Sequence, residues 1–190
     1  MRVLLLRPAA EKKSMARVLP LGLLAIGSVL KRTGHQVKIL DLRISNSPDE
    51  ELSSVMKSFN PQVVGIGVMT IECKYGFIDA AKVKKLNPDV TIIFGGPHCS
   101  HEPRFILNDP NVDLMVSGEG DLTIVELINA LEQGKDIENV PGIAYKINGS
   151  YVRTADRPVI RDLDKFDQEY DLINLERYFN FQSSMDFFPD

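Results

Sequence analysis

Two glycines, a proline and a histidine, Gly95-Gly96-Pro97-His98, follow without a gap on the apolar run at residues 90–94. Paired glycines at the mouth of a strand leave the main chain bare, so a ligand can approach the backbone closely. The pattern recurs where other apolar runs stop: Pro20-Leu21-Gly22, Gly65-Ile66-Gly67-Val68-Met69-Thr70, and Gly118-Glu119-Gly120-Asp121. The chemistry these residue types permit is the close seating of a large ligand, and no catalytic residue is assigned. His98, Cys99 and His101 lie together, but zinc takes four ligands and only Cys73 is available to join them. No metal is therefore assigned, and His98 is read as a polar contact to a ligand or within its loop. Asp121 reads as the N-cap of the helix that follows, where exposed N–H groups suit an anionic or amide-bearing ligand. His35 precedes the second strand, at the opposite edge, and reads as a solvated turn histidine.

These loops need elements that bring them to one place. Five short apolar runs, at residues 2–6, 37–40, 63–69, 90–95 and 112–117, are too short for helices and rich in Val, Ile and Leu. Between them lie helical periodicities: Leu21, Leu23, Leu24, Ile26, Val29 and Leu30; Leu52, Val55, Met56 and Phe59; Phe77, Ile78, Ala81 and Leu86; a short stretch at 102–107; and Ile124, Leu127, Ile128 and Leu131. Alternation of this kind predicts a doubly wound α/β fold with a five-stranded, flavodoxin-like parallel sheet over residues 1–135. All strands of such a sheet end at the same edge, and ligands bind there at the switch point of strand order. Ile143, Tyr145 and Ile147 then alternate, Asn148-Gly149 supplies a tight hairpin turn, and residues 151–154 return, so 136–156 is an appended β-hairpin. Residues 157–190, aromatic and acidic, read as a linker toward a missing domain.

Composition narrows the classes. With 190 residues, 44% of them hydrophobic, the chain can bury a full core. A net charge of −4 advertises no face for nucleic acid or anionic lipid. Two cysteines make neither a disulfide framework nor a zinc motif, which fits a reducing, cytoplasmic compartment. The opening MRVLLL meets charge again at Arg7, Glu11, Lys12 and Lys13, too soon for a signal peptide or a membrane span.

Other phosphate-binding patterns do not fit. There is no G-x-x-x-x-G-K-[ST], Gly65-x-Gly67 lacks a third glycine, and the first strand ends in Arg7-Pro8-Ala9-Ala10, without the acidic residues of a receiver domain or the Ser/Thr loop of a flavodoxin. Taken in order, PLGLLAIGSVLKRTGHQVKILDL, PQVVGIGVMT, GGPHCS, GEGDLTIVELINAL, GIAYKINGSYV and the RDLD segment resemble the N-terminal cobalamin-binding region of cobalamin-dependent radical SAM enzymes, over residues 1–171.

The resemblance implies that the nucleotide tail of cobalamin enters a groove between the sheet and its helices, with the corrin over the strand ends. Gly95, Gly96, Pro97 and His98, with Gly67, Met69 and Thr70, are then the tail-binding residues. Gly118, Glu119 and Gly120 form the other wall, and Pro20, Leu21 and Gly22 border the corrin. It also implies that S-adenosylmethionine and an iron–sulfur cluster on a C-x-x-x-C-x-x-C motif belong to the full-length enzyme only. This chain is then a piece that binds without turning over, its partner being the missing radical SAM domain and its full-length chemistry methyl transfer or radical chemistry. Two rivals stay open: a stand-alone module for nucleotides or other small ligands, and an interaction domain with structural glycines whose aromatic tail (Tyr170, Tyr178, Phe179, Phe181, Phe187, Phe188) docks a partner.

Gly67 stands where related domains often carry a serine that bonds the tail. Many cobalamin-binding domains also carry D-x-H-x-x-G after the first strand, whose histidine ligates cobalt. Residues 7–19 contain no histidine. The expected outcome is a cob(II)alamin complex with neither benzimidazole nor a histidine of this loop on the metal. EPR spectra checks this, since nitrogen superhyperfine splitting from an axial base would contradict it.

Overall fold

The computed structural model describes residues 1–9, 18–101, 103–162 and 166–179, without the side chain of His101. Phe181, Phe187 and Phe188 of the aromatic tail, Glu11 to Lys13, and part of the RDLD segment lie outside the described residues. Strands β1 (Arg2–Arg7), β2 (Gln36–Asp41), β3 (Val63–Gly67), β4 (Thr91–Gly95) and β5 (Leu114–Val116) pair in parallel in the order β2-β1-β3-β4-β5. This is the flavodoxin-like order expected from the sequence, with its switch point between β1 and β3.

The sheet is larger than the expected five strands. Strand β6 (Ile143–Ile147) lies antiparallel to β5, with Val116 opposite Ile143, and β7 (Ser150–Arg153) pairs with β6, giving seven strands in all. The hairpin is therefore a continuation of the sheet. Its turn has Asn148 at φ 50° and Gly149 at φ 78°, the positive pair a tight hairpin demands. Ile143 and Ala144 become core residues because β6 covers what would otherwise be the open edge of β5.

Alternation along the strands feeds two apolar layers. Leu4, Leu6, Val64, Ile66, Ile92 and Phe94 face helices α2 (Pro48–Phe59), α3 (Cys73–Leu86), α4 (Pro97–His101) and α5 (Pro103–Leu107). Val3, Leu5, Val63, Ile93, Leu114 and Val116 face α1 (Leu21–Arg32) and α6 (Gly120–Glu132). Strands buried on both faces must be apolar at consecutive positions, which explains the unbroken runs in the sequence. On the first face Phe94 stacks on Phe77 with ring centroids 5.4 Å apart.

After β7 the chain runs back over the domain, making a 3₁₀ turn at Tyr170–Leu172 and a last helical turn, α7 (Glu176–Phe179). The described part of the segment expected to be a linker is thus packed on the domain, Arg157 and Ile160 on the start of α6 and residues 169–179 on α1, β2 and α2. Among the described residues, no helix is long and apolar enough to cross a membrane.

His35 is at the edge opposite the strand ends, as expected, but it is buried rather than solvated, at 6% exposure. Its Nδ1 lies 3.1 Å from the amino group of Met1, which also donates to Glu132 at 2.6 Å. Burial, then the nearby amino group, pushes its pKa below the ordinary 6.5. The unfolded chain therefore takes up the proton first. Stability is fully present above about pH 6.5 and falls as the pH drops through the lower folded value. Denaturant titrations of wild type and His35→Gln between pH 7 and pH 5 should show a smaller acid loss in the variant.

Candidate functional site

A cleft of about 510 Å³ opens at the strand-end edge and runs down between the sheet and the α1–α6 pair. Its size is that of a small-molecule or cofactor site. Its floor is the register row Leu5, Gly65, Ile93, and its walls include Leu23 and Ile26 of α1, Val116, and Ile124 of α6. Gly65, in mid-strand, lowers the sheet surface: a Cβ there would come within 2.9 Å of Leu5 Cδ2, itself a lining atom's side chain.

Of the residues singled out in the sequence, Pro20, Leu21, Gly22, Gly67, Met69, Gly95, Gly96, Pro97, Gly118 and Gly120 line the cleft. Three do not. Thr70 opens an exposed 3₁₀ turn, His98 stands edge-on to Phe105 with centroids 6.2 Å apart, and the Glu119 carboxylate accepts the Ile160 N–H at 2.6 Å. Short loops turn these side chains away from the cleft that their neighbours face. Sequence reasoning missed Arg7, Val18, Leu23, Ile26, Glu72 and Ile124 as lining residues, and quoted Gly65 and Asp121 in their loops without assigning them to the ligand. For Gly65 a signal existed, since glycine inside a strand marks close approach of a ligand or backbone.

The paired glycines divide their work. Gly95 has open space where a side chain would project, so its bareness serves the cleft. Gly96 has φ +107°, and a Cβ would lie 2.6 Å from the Val68 carbonyl oxygen, so its bareness serves the turn. Gly118, at φ +72°, is also open to solvent-filled space, and its N–H is taken by Ser100 Oγ at 3.0 Å.

Three ionisable residues line an otherwise apolar cleft: Arg7, Glu72 and Asp121. Arg7 Nη1 donates to the Val18 carbonyl at 2.8 Å and to Asp41 Oδ2 at 3.3 Å. Arg43 Nη1 donates to Glu72 Oε1 at 2.5 Å, and Glu72 Oε2 accepts from the Met69 N–H at 3.4 Å. Asp121 is not the N-cap expected of it; Glu119 holds that position without a side-chain bond, and Asp121 sits inside the first turn. Burial, and secondarily the charge of Glu119, raise the Asp121 pKa. Two carboxylates at this helix start weigh against the anionic and for the amide-bearing of the two ligand types expected there.

The thiols of Cys73 and Cys99 are buried, and desolvation pushes them up to about 11 and about 12, so both are neutral at pH 7. Among the described residues, no three His, Cys, Asp or Glu side chains are grouped to hold a metal ion.

The sequence profile of the B12 binding domain matches residues 13–128. The chain belongs to the B12-binding domain family. This B12-binding domain is 33% identical over 186 residues to an uncharacterized methyltransferase of Pyrococcus horikoshii, covering 94% of this chain and 40% of that protein. It is 31% identical over 189 residues to the anaerobic magnesium-protoporphyrin IX monomethyl ester cyclase of a Synechocystis strain, covering 94% of this chain and 37% of that one. The chain thus spans about 40% of the length of these relatives. In fold it resembles the radical S-adenosylmethionine methyltransferase TsrM from Kitasatospora setae, solved with cobalamin and a [4Fe-4S] cluster, at a TM-score of 0.73 and 21% identity over 88% of this chain and 31% of that one. It likewise resembles the cobalamin-dependent S-adenosylmethionine radical enzyme OxsB with aqua-cobalamin and S-adenosylmethionine, at a TM-score of 0.71 and 21% identity over 83% of this chain and 22% of that one.

The divided glycine pair makes a sharp prediction for this B12-binding domain. Gly96→Ala should lower stability by about 1–3 kcal/mol through backbone strain. Gly95→Leu should fold with a loss within about 0.5 kcal/mol, its side chain lying in the cleft. Urea midpoints of the two variants against wild type check the order.

Proposed function

We propose that this chain holds cobalamin for a longer radical SAM enzyme, the cofactor's nucleotide arm entering the cleft beside Gly95. The observation that carries the proposal is the bare floor and rim of that cleft. Gly65 and Gly67 lower the sheet, Gly95 and Gly118 leave open space, and Leu23, Ile26 and Ile124 offer apolar walls to a flat heteroaromatic base. A cofactor arm needs this bareness, since any Cβ at Gly95 would project into its path.

The residues that would hold the group follow from their places. Gly67, Met69, Gly95, Gly96 and Pro97 would flank the arm on one side, and Gly118 and Gly120 on the other, while Pro20, Leu21 and Gly22 would border the corrin at the rim. Cobalamin, when bound, supplies a cobalt centre for methyl or radical chemistry. The chain's own part is to bind the arm, to orient the ring over the strand ends, and to keep water from its inner face. Leu21 and Met69, exposed apolar residues at the rim, suit that last role. The identity of the methyl acceptor or other substrate belongs to the part of the enzyme beyond the reach of this cleft. The relatives fit this division, being named a methyltransferase in one case and a cyclase in another.

Retention through gel filtration tests the proposal. Wild type incubated with hydroxocobalamin should elute with the coloured cofactor, and Gly95→Leu, folded, should elute colourless. Retention equal to wild type in Gly95→Leu, or stabilisation by flavin or adenine nucleotides with none by cobalamin, would overturn it.

A further inference from the structure

Residues 166–179 run back across the domain as a strap that ends in the last helical turn. Glu169 N–H donates to Ser28 Oγ at 2.7 Å, Lys31 pairs with Asp171 at 2.6 Å, and Arg177 holds Glu51 through both guanidinium nitrogens at 2.7 and 3.3 Å. Phe166 packs against the α1–α6-side core and Leu172 lies beside Gly27, and a third strap side chain is buried near the strand ends. Tyr178 is 7% exposed, and its hydroxyl donates to Asp41 Oδ2 at 3.0 Å.

We infer that Tyr178 is a positioning residue for the cleft, acting through Asp41 on Arg7 and thereby on the rim beside Pro20 and Leu21. The inference takes its ligand from the function proposed above, but its geometry is independent of it. Asp41 is 4% exposed, and the same Oδ2 that accepts the Tyr178 hydroxyl's hydrogen bond also accepts from Arg7 Nη1 at 3.3 Å. That Arg7 nitrogen holds the Val18 carbonyl at 2.8 Å, and Val18 stands at the cleft. Arg7 Nε lies 4.0 Å from Glu72, whose other oxygen accepts the Met69 N–H on the facing rim. One hydroxyl from the strap is thus joined by short steps to both loop ends that bound the cleft.

The physical consequence concerns how Arg7 shares its bonds. A buried carboxylate that loses a donor compensates by drawing harder on the donors left to it. Without the Tyr178 hydroxyl, Asp41 draws the guanidinium toward itself and away from Val18, and the rim loosens. Linkage makes the effect reciprocal: a ligand that orders the rim also tightens the strap.

Hydrogen exchange and cobalamin affinity, measured on the intact protein, test the inference together. Tyr178→Phe should speed amide exchange at residues 18–23 without ligand and weaken hydroxocobalamin binding about tenfold. Lys31→Ala, which cuts the strap's surface clasp alone, should change neither. In a double-mutant cycle with Arg7→Lys, the losses in affinity should be non-additive, a coupling that general loosening of the fold would not produce. In wild type, bound hydroxocobalamin should slow exchange in residues 166–179, a readout that needs no variant to fold. Unchanged exchange at 18–23 and unchanged affinity in Tyr178→Phe, with wild type binding cobalamin, would overturn the positioning role and leave the proposed function standing. A wild type that does not retain cobalamin would overturn the proposed function, and exchange at 18–23 in Tyr178→Phe would then decide the positioning role by itself.

Discussion

A parallel sheet covered on both faces leaves no room of its own, because protein interiors close to crystal-like density wherever side chains meet. A cofactor-sized groove between sheet and helices therefore requires side chains to be missing at particular places in the layer. Here the row Leu5, Gly65, Ile93 dips at its centre, and the row Ile66–Phe94 is followed by Gly67 opposite Gly95, bare on both strands. Glycine weakens a strand, yet the neighbours Val63, Val64 and Ile66 are at most 1% exposed and hold β3 in place. The groove exists because the loss of packing is local and the strands that carry it are fixed elsewhere along their length.

A second requirement is met beneath the groove. Asp41 and Glu72 are nearly inaccessible to water, and unpaired buried charges of that kind are strongly destabilising. Arg7 and Arg43, the backbone N–H of Arg43 and the hydroxyl of Tyr178 satisfy them. Such a cluster is geometrically demanding, and that demand is what makes it useful: its members cannot drift without leaving a charge unsatisfied. The loop ends at Val18 and Met69 are hydrogen-bonded to members of this cluster.

The domain's division of labour follows. Apolar residues on the α1–α6 side wall the groove, polar residues at the strand ends hold its rim, and the apolar layer on the α2–α3 side, with Phe94 against Phe77, anchors the strands from below. On the proposed function, a cleft built this way prescribes the shape of the cofactor's arm and says little about a substrate. Relatives with different named activities over the same stretch of chain are consistent with that separation.

Much of the fold was legible because strand burial and helix periodicity are local signals: the parallel order from strand-helix alternation, the hairpin from Asn148-Gly149, and the edge at which the cleft opens from where glycines follow apolar runs. The glycine pair itself was legible as a pair, though not the separate tasks of Gly95 and Gly96, since one depends on the Val68 carbonyl across the next strand and the other on empty space. His98, Thr70 and Glu119 sit among lining residues in the chain and point elsewhere, because side-chain direction in a short loop is decided by what the loop packs on. Arg7 and Tyr178 are 171 positions apart, and both meet Asp41, a convergence no local pattern records. Composition and periodicity determined the layers and the edge at which the cleft opens. Only the tertiary structure decided how deep the groove is and which distant side chains hold its rim, since both depend on contacts between residues remote in sequence.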